Sequence, residues 1–194
     1  MSFDFKRVNL YLIGMMGAGK TTLGKLLAQE LGYRFLDTDA VIEAAAGQPV
    51  TEIFATSGES AFRELETQVL GQAAAYQQMA IATGGGIILQ RQNWSYLRHG
   101  IVIWLDVPLE QLCDRLEGDS TRPILQGVDL QQKLQTLLEQ RQHLYAQADV
   151  RVVVSAEESP QQLAIRVLEE IQKSLKPEVH PPSASEFTVE YTQN

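Results

Sequence analysis

Hydrophobic positions along the chain change period several times, and each change marks an element. The run Val8 to Ile13 is short, rich in β-formers and closed by Gly14, the pattern of a buried strand. From Lys20 the period lengthens. Leu23, Leu26, Leu27 and Leu31 share one helical face, and Gly32 stands where a helix ends on a left-handed residue. Arg34 to Leu36 reads as a short strand running into Asp37-Thr38-Asp39, and Val41 to Ala46 as the start of a helix. Thr51 to Ala75 is helical after Gln48-Pro49 and broken near Ser57-Gly58, with Phe62, Leu65, Val69 and Ala73 as its apolar stripe. Met79 to Thr83 gives a third strand, ended by Gly84-Gly85-Gly86, and a helix over Gln90 to Arg98 leads to a fourth, Ile101 to Leu105. Pro108 stands where a helix starts without needing its N–H. Asp129 is placed to cap a helix from Leu130 to about Tyr145, Val150 to Val154 is a fifth strand, and Ser159-Pro160 opens a last helix through Leu175.

Strands alternating with helices predict an α/β fold: three layers, α/β/α, around a five-stranded parallel sheet. Residues 1–175 then form a single domain. Within it, the helical segment 39–75 is the expected acceptor-binding part, and the polar break at about 118–128 is the expected lid. The stretch 176–194, with Pro177, Pro181 and Pro182, shows no core period and reads as a disordered tail. Ligands of such folds gather at the carboxyl ends of the strands. The unusual segments lie there: Gly14–Thr22, Asp37–Asp39 and Gly84–Gly86.

Composition narrows the partners. The net charge of −8 disfavours a nucleic-acid groove, which needs clustered positive charge. An acidic protein with an anionic substrate must concentrate its arginines at the site. The single cysteine, Cys113, cannot form an internal disulfide and reads as an apolar filler. No run approaches a membrane span, and the N-terminus lacks a secretory core, so a cytoplasmic protein is expected. His99, His143 and His180 have no metal or triad spacing.

Gly14-Met15-Met16-Gly17-Ala18-Gly19-Lys20-Thr21 satisfies G-x-x-x-x-G-K-[ST] between a predicted strand and helix, the phosphate loop of nucleotide-binding proteins. Its glycines let backbone N–H groups converge on phosphate, and the helix N-terminus adds a favourable dipole. Lys20 can reach the β and γ oxygens, and the Thr21 hydroxyl suits Mg²⁺. A guanine-reading N-K-x-D is missing, and the chain is short for a motor, which leaves a small phosphotransferase.

Asp37 and Asp39 face one way if the strand continues through them, one supporting hydrated Mg²⁺ and the other taking a proton from an attacking hydroxyl; alternatively, Asp39 caps the helix beginning at Ala40. Arg141 lies on the inward face of its helix with Leu130, Leu134 and Leu137, so its guanidinium either meets an anion or snorkels to water. Arg63, between Glu59 and Glu66, has an ordinary surface ion pair as its alternative. Gly84–Gly86 is either a backbone surface for a small ligand or a flexible turn. Arg122 is either a lid residue closing on phosphates or a solvated loop arginine.

These motifs together resemble the shikimate kinase family, from about Asn9 to Leu175: the phosphate loop, Asp37-Thr38-Asp39, Ile53-Phe54 … Gly58-Glu59 … Phe62-Arg63 … Glu66, Gly84–Gly86, and Thr121-Arg122-Pro123-Ile124-Leu125. The resemblance implies a P-loop, nucleoside-monophosphate-kinase-like fold. It also implies transfer of the ATP γ-phosphoryl group to the 3-hydroxyl of shikimate, in aromatic amino-acid and chorismate biosynthesis, by a monomer. Carried over, Gly17, Ala18, Gly19, Lys20, Thr21 and Thr22 bind ATP phosphates and Arg122 the nucleotide. Thr21 holds Mg²⁺ directly and Asp37 through water. Asp39 binds ring hydroxyls and acts as base or orienter, and Lys20 and Arg122 share the catalytic work. Arg63 and Arg141 hold the carboxylate, with Gly85 in backbone contact. Arg115 resembles an adenine-flanking arginine. Where the family commonly has Arg-x-Pro-Leu-Tyr, this chain has Arg141-Gln142-His143-Leu144-Tyr145. The rival readings are another small-metabolite kinase, such as a gluconate kinase, and a catalytically silent nucleotide-binding protein.

Overall fold

The computed structural model describes residues 5, 7–117 and 129–175. The lid expected at about 118–128, Arg122 within it, and the tail 176–194 lie outside the described residues. The elements are β1 (Leu10–Ile13), α1 (Lys20–Leu31), β2 (Arg34–Asp37), α2 (Thr38–Ala46), α3 (Val50–Ala74), β3 (Met79–Ala82), α4 (Arg91–Leu97), β4 (Ile101–Asp106), α5 (Leu109–Leu116), α6 (Leu130–Tyr145), β5 (Val150–Val153) and α7 (Pro160–Leu175).

The strands form one parallel sheet in the order β2-β3-β1-β4-β5. Central β1 is buried along its whole length, as is β3, because helices cover both faces of a parallel sheet. One group of helices joins α1 to α7, and the other joins α3, α4, α5 and α6. After β1 the chain crosses to β2 on one side, while β4 lies on the other, so the loop leaving β1 sits where the strand order reverses. Gly14 begins that loop with φ 139°, and a side chain there would meet the Leu105 carbonyl oxygen at 2.6 Å. Only glycine lets the loop pass over β4.

Helix ends follow local chemistry. Gly32 closes α1 at φ 66°, and the Asp129 carboxylate accepts from the Gln132 N–H at 2.8 Å at the start of α6. Ser159 and Gln162 cap each other reciprocally at α7, the hydroxyl accepting at 3.2 Å and the amide oxygen at 2.9 Å. Cys113 packs partly buried against the core.

Two expectations are corrected. Helix α2 begins at Thr38, so strand geometry stops at Asp37; the cap of α2 is Asp37, whose Oδ1 accepts from the N–H groups of Asp39 (3.1 Å) and Ala40 (3.4 Å), and Asp39 sits inside the first turn. In α3 the buried face is Phe62, Arg63, Glu66, Leu70 and Ala73, while Leu65 and Val69 pack half-buried. A 3₁₀ turn, Ile87–Leu89, follows the glycines and leads to α4. The break near Ser57-Gly58 is present as a kink at Gly58, φ 80°. Beyond it, Ile42, Ile53 and Phe62 make a small apolar cluster of their own, so α2 and the start of α3 fold as a satellite beside the main core.

Candidate active site

The phosphate loop turns its carbonyls toward cations. The Lys20 ammonium donates to Gly14 O (2.9 Å) and Met15 O (2.8 Å), and Arg115 Nη1 donates to Gly17 O (3.3 Å) and Ala18 O (3.4 Å). Within the loop the Ala18 N–H donates to Met15 O at 3.2 Å, which closes its turn. At the helix start Gly19 provides no capping side chain, and the first turn of α1 holds no acidic residue, which leaves the positive end of the helix open to phosphate. Arg115, likened to an adenine-flanking residue, stands against the outside of this loop.

Thr21 and Asp37 meet at the ends of α1 and β2. The hydroxyl donates to Asp37 Oδ2 at 2.7 Å, while the other carboxylate oxygen caps α2. A hydroxyl beside one carboxylate, with no cluster of three acidic, His or Cys ligands among the described residues, suits a hard cation that takes its remaining oxygens from water and phosphate.

A cavity of about 490 Å³ is lined by Gly17, Gly19, Lys20, Thr21, Asp37 and Asp39, and also by Met16, Val50 and Gly85. A smaller one, about 60 Å³, adjoins it and is lined by Arg63, Glu66, Arg141, Phe54, Phe62 and the Gly84–Gly86 backbone. The two share Met16, Asp39, Val50 and Gly85. Residues predicted from three strand ends and two helices thus line two joined spaces.

Gly84, Gly85 and Gly86 are each required by a neighbour rather than by flexibility. A side chain at Gly84 would strike Glu66 Oε1 and come within 2.8 Å of Asp39 Oδ1; at Gly85 it would lie 3.2 Å from the Met16 amide nitrogen; at Gly86 it would land on the Arg63 guanidinium. Their polar groups are largely committed. The Gly84 N–H donates to Thr38 Oγ1 (3.1 Å), and the Gly84 and Gly86 carbonyls accept from the Ile87 (3.2 Å) and Leu89 (3.0 Å) N–H groups. The Gly85 carbonyl accepts from the Tyr145 hydroxyl at 2.6 Å. Among the described residues, the N–H groups of Gly85 and Gly86 donate to none.

Arg63 is 7% exposed, so its pair with Glu66 is buried and not the surface pair that spacing allowed, while its pair with Glu59 reaches a carboxylate at the surface. Nη1 meets Glu66 Oε2 at 2.7 Å, Nη2 meets Glu59 Oε1 at 3.1 Å, and the guanidinium lies 5.3 Å from the Phe62 ring centre. Burial pulls its pKa down, but Glu66 and Glu59 more than offset this and hold it above its usual value. Glu66 is fully buried. Burial pushes its carboxyl up to about 7 and Asp39 adds repulsion, against the pull of Arg63 and Arg141. Arg141, 5% exposed, does not snorkel: it lies inside on the Leu134–Leu137 face, its Nη1 3.5 Å from Gly85 O, and no carboxylate among the described residues pairs with it. Burial also pushes Tyr145 up to about 12.

Glu66 entered the sequence reading as a surface partner of Arg63 and as part of a motif, and Tyr145 as part of a motif, neither with a role in the site. Both lie one turn beyond a site arginine, on the same buried face. That spacing was the signal that could have found them.

The shikimate kinase family profile matches residues 16–172. Shikimate kinase from Nostoc sp. strain PCC 7120 is 57% identical over 176 residues, 91% of this chain and 97% of that protein. The Thermosynechococcus vestitus protein of the same name is 57% identical over 169 residues, 87% and 92% of the two chains. The solved shikimate kinase from Acinetobacter baumannii in complex with shikimate superposes with a TM-score of 0.84 at 39% identity, over 89% of this chain and 97% of that one. The sheet order, the phosphate loop and this likeness along nearly the whole chain agree: the protein belongs to the shikimate kinase family.

Proposed function

We propose that this chain transfers the γ-phosphoryl group of ATP to the 3-hydroxyl of shikimate, giving shikimate 3-phosphate and ADP. The observation that carries this reading is the shared wall. A phosphate-loop cavity shares Asp39 and Gly85 with a small space lined by two buried arginines. An acceptor with its carboxylate between Arg63 and Arg141 and its hydroxyls toward Asp39 would present one hydroxyl oxygen to the γ-phosphorus.

In that arrangement Gly17, Ala18, Gly19 and Thr22 bind the triphosphate through the loop and helix N-terminus, and Lys20 exchanges its carbonyl partners for β and γ oxygens. Thr21 would hold Mg²⁺ directly and Asp37 through water; the ion would neutralise phosphate charge. Asp39 orients the hydroxyl and takes its proton as the oxygen–phosphorus bond forms and the β–γ bridging bond breaks, the bridging electrons leaving with ADP. Gly85 and Gly86 contribute N–H donors to the acceptor. Arg122, outside the described residues, would add positive charge to the group in transfer. Every residue in this scheme comes from one chain, so the scheme calls on no second copy. No described helix is long and apolar enough to cross a membrane, and the small polar substrates fit a cytoplasmic enzyme.

Coupled ADP release across shikimate, gluconate and nucleoside monophosphates tests the reading. Shikimate should give the highest kcat/KM. Preference for gluconate would replace the acceptor, and ATP binding without turnover on any of them would identify a silent homologue.

A further inference from the structure

Tyr145 touches neither substrate in the proposed reaction, yet it lies where the acceptor wall meets the phosphate loop. The residue is fully buried, its ring stacked on Trp104 with centroids 5.9 Å apart. Its hydroxyl donates to Gly85 O at 2.6 Å and lies 3.7 Å from Met15 Sδ. The same carbonyl is approached by Arg141 Nη1, at 3.5 Å, the outer edge of hydrogen-bond distance. Arg141 is the buried arginine without a paired carboxylate among the described residues, so it has the most to gain from an available oxygen. That oxygen has two lone pairs and takes both donors, and the Arg141 guanidinium also lies against the Tyr145 hydroxyl itself. A Tyr hydroxyl held up to about 12 remains a donor at any working pH.

We propose that Tyr145 is a positioning residue: by pinning the Gly85 carbonyl on which Arg141 Nη1 also rests, its hydroxyl fixes where the guanidinium stands and holds it for the acceptor's carboxylate. This rests on the reading of Arg141 as a carboxylate ligand. It adds that the arginine's availability is set from one turn further along α6. The Gly85 backbone, pinned between Tyr145 and the phosphate loop, is held in register by the same bond.

The test is Tyr145→Phe, which leaves the ring on Trp104 and removes only the hydroxyl, with Arg141→Ala and the double variant alongside. The KM for shikimate should rise about tenfold in Tyr145→Phe, the scale of one charge-assisted hydrogen bond, with kcat and the KM for ATP within about twofold. In the Arg141→Ala background the hydroxyl deletion should add nothing, because its effect passes through the missing guanidinium. Additive effects, an equal rise in both KM values, or a Tyr145→Phe protein that does not fold would assign the hydroxyl to the fold and overturn the proposal. An unchanged shikimate KM in Tyr145→Phe, beside a raised one in Arg141→Ala, would overturn it while sparing the carboxylate reading. An unchanged KM in Arg141→Ala would remove that reading and the proposal with it.

Discussion

Gly86→Ala separates the acceptor site from the fold more sharply than any change to a charged residue. The backbone at Gly86 has φ −102° and ψ 2°, which alanine tolerates, so no strain arises there. The new methyl group would instead land on the carbon and both terminal nitrogens of the Arg63 guanidinium. Those atoms end a flexible side chain, so the guanidinium can swing aside while the main chain stays. Swinging aside costs the 2.7 Å pair with Glu66 and the contact with the Phe62 ring. Breaking a buried pair outright costs about 3–5 kcal/mol. Glu66, already held up to about 7, can take a proton instead of remaining a bare charge, which lowers that figure. Alanine restricts the unfolded chain and returns about 0.4–1 kcal/mol.

The net loss of stability should then be about 1–2 kcal/mol, or a fall in Tm of roughly 2–8 °C for a domain of this size. Function should suffer more. Loss of one charged contact to a carboxylate predicts a rise of at least about tenfold in the KM for shikimate, with the KM for ATP within about twofold. Steady-state kinetics with each substrate varied, beside a thermal melt, measure both. Gly85→Ala, whose methyl group would come no nearer than 3.2 Å to any atom, the Met16 amide nitrogen, should be milder. A Gly86→Ala enzyme with an unchanged shikimate KM would show that Arg63 is not needed where it lies, and would refute the argument.

Asp39→Asn should lower kcat by about a hundredfold or more while leaving the fold and the ATP KM intact; near-normal turnover would take Asp39 out of the proton transfer. Asp37→Asn should raise the Mg²⁺ concentration needed for half-maximal rate yet keep the α2 cap, whereas Asp37→Ala should also lose about 1 kcal/mol of stability by melt; equal Tm values would separate the cap from stability. Glu66 faces Arg63, Asp39 and Arg141, and its folded-state pKa of about 7 lies above the ordinary 4.5. Its stabilising contribution is therefore complete below about 4.5, declines as pH rises to about 7, and is level above. Between pH 8 and pH 6 the pair with Arg63 loses its negative charge, so calorimetric binding of shikimate should tighten severalfold, and Glu66→Gln should flatten both profiles.

The sheet and its order of elements were legible because hydrophobic period records them directly: Val8 to Ile13 and Met79 to Thr83 can be little else than buried strands. The phosphate loop was legible because backbone geometry imposes glycines at fixed spacing. What stayed hidden were facts that depend on two elements at once. Whether Asp37 or Asp39 caps α2 turns on one residue of helix start, which side-chain period cannot resolve. The burial of Glu66 is invisible in a Glu-Arg-Glu spacing that suits a solvated helix face equally well. Its cause is the Gly84–Gly86 backbone, which comes from a different strand.

That dependence explains why the three adjacent glycines serve three different neighbours. β3 is paired between β2 and β1, so the chain leaving it must pass between what those strands carry: Asp37 to Asp39 on one side, the phosphate loop on the other. Gly84 makes room for carboxylates, Gly85 for the loop's backbone and Gly86 for a guanidinium, in the order in which the chain meets them. Any side chain would displace one of them, and each belongs to a different part of the proposed reaction: the proton acceptor with its neighbouring acid, the phosphate cradle and the carboxylate clamp. A flexible turn would accept alanine at all three positions with similar small effects. A fitted wall predicts instead that Gly84→Ala chiefly lowers kcat, through Asp39, and that Gly86→Ala chiefly raises the acceptor KM, through Arg63.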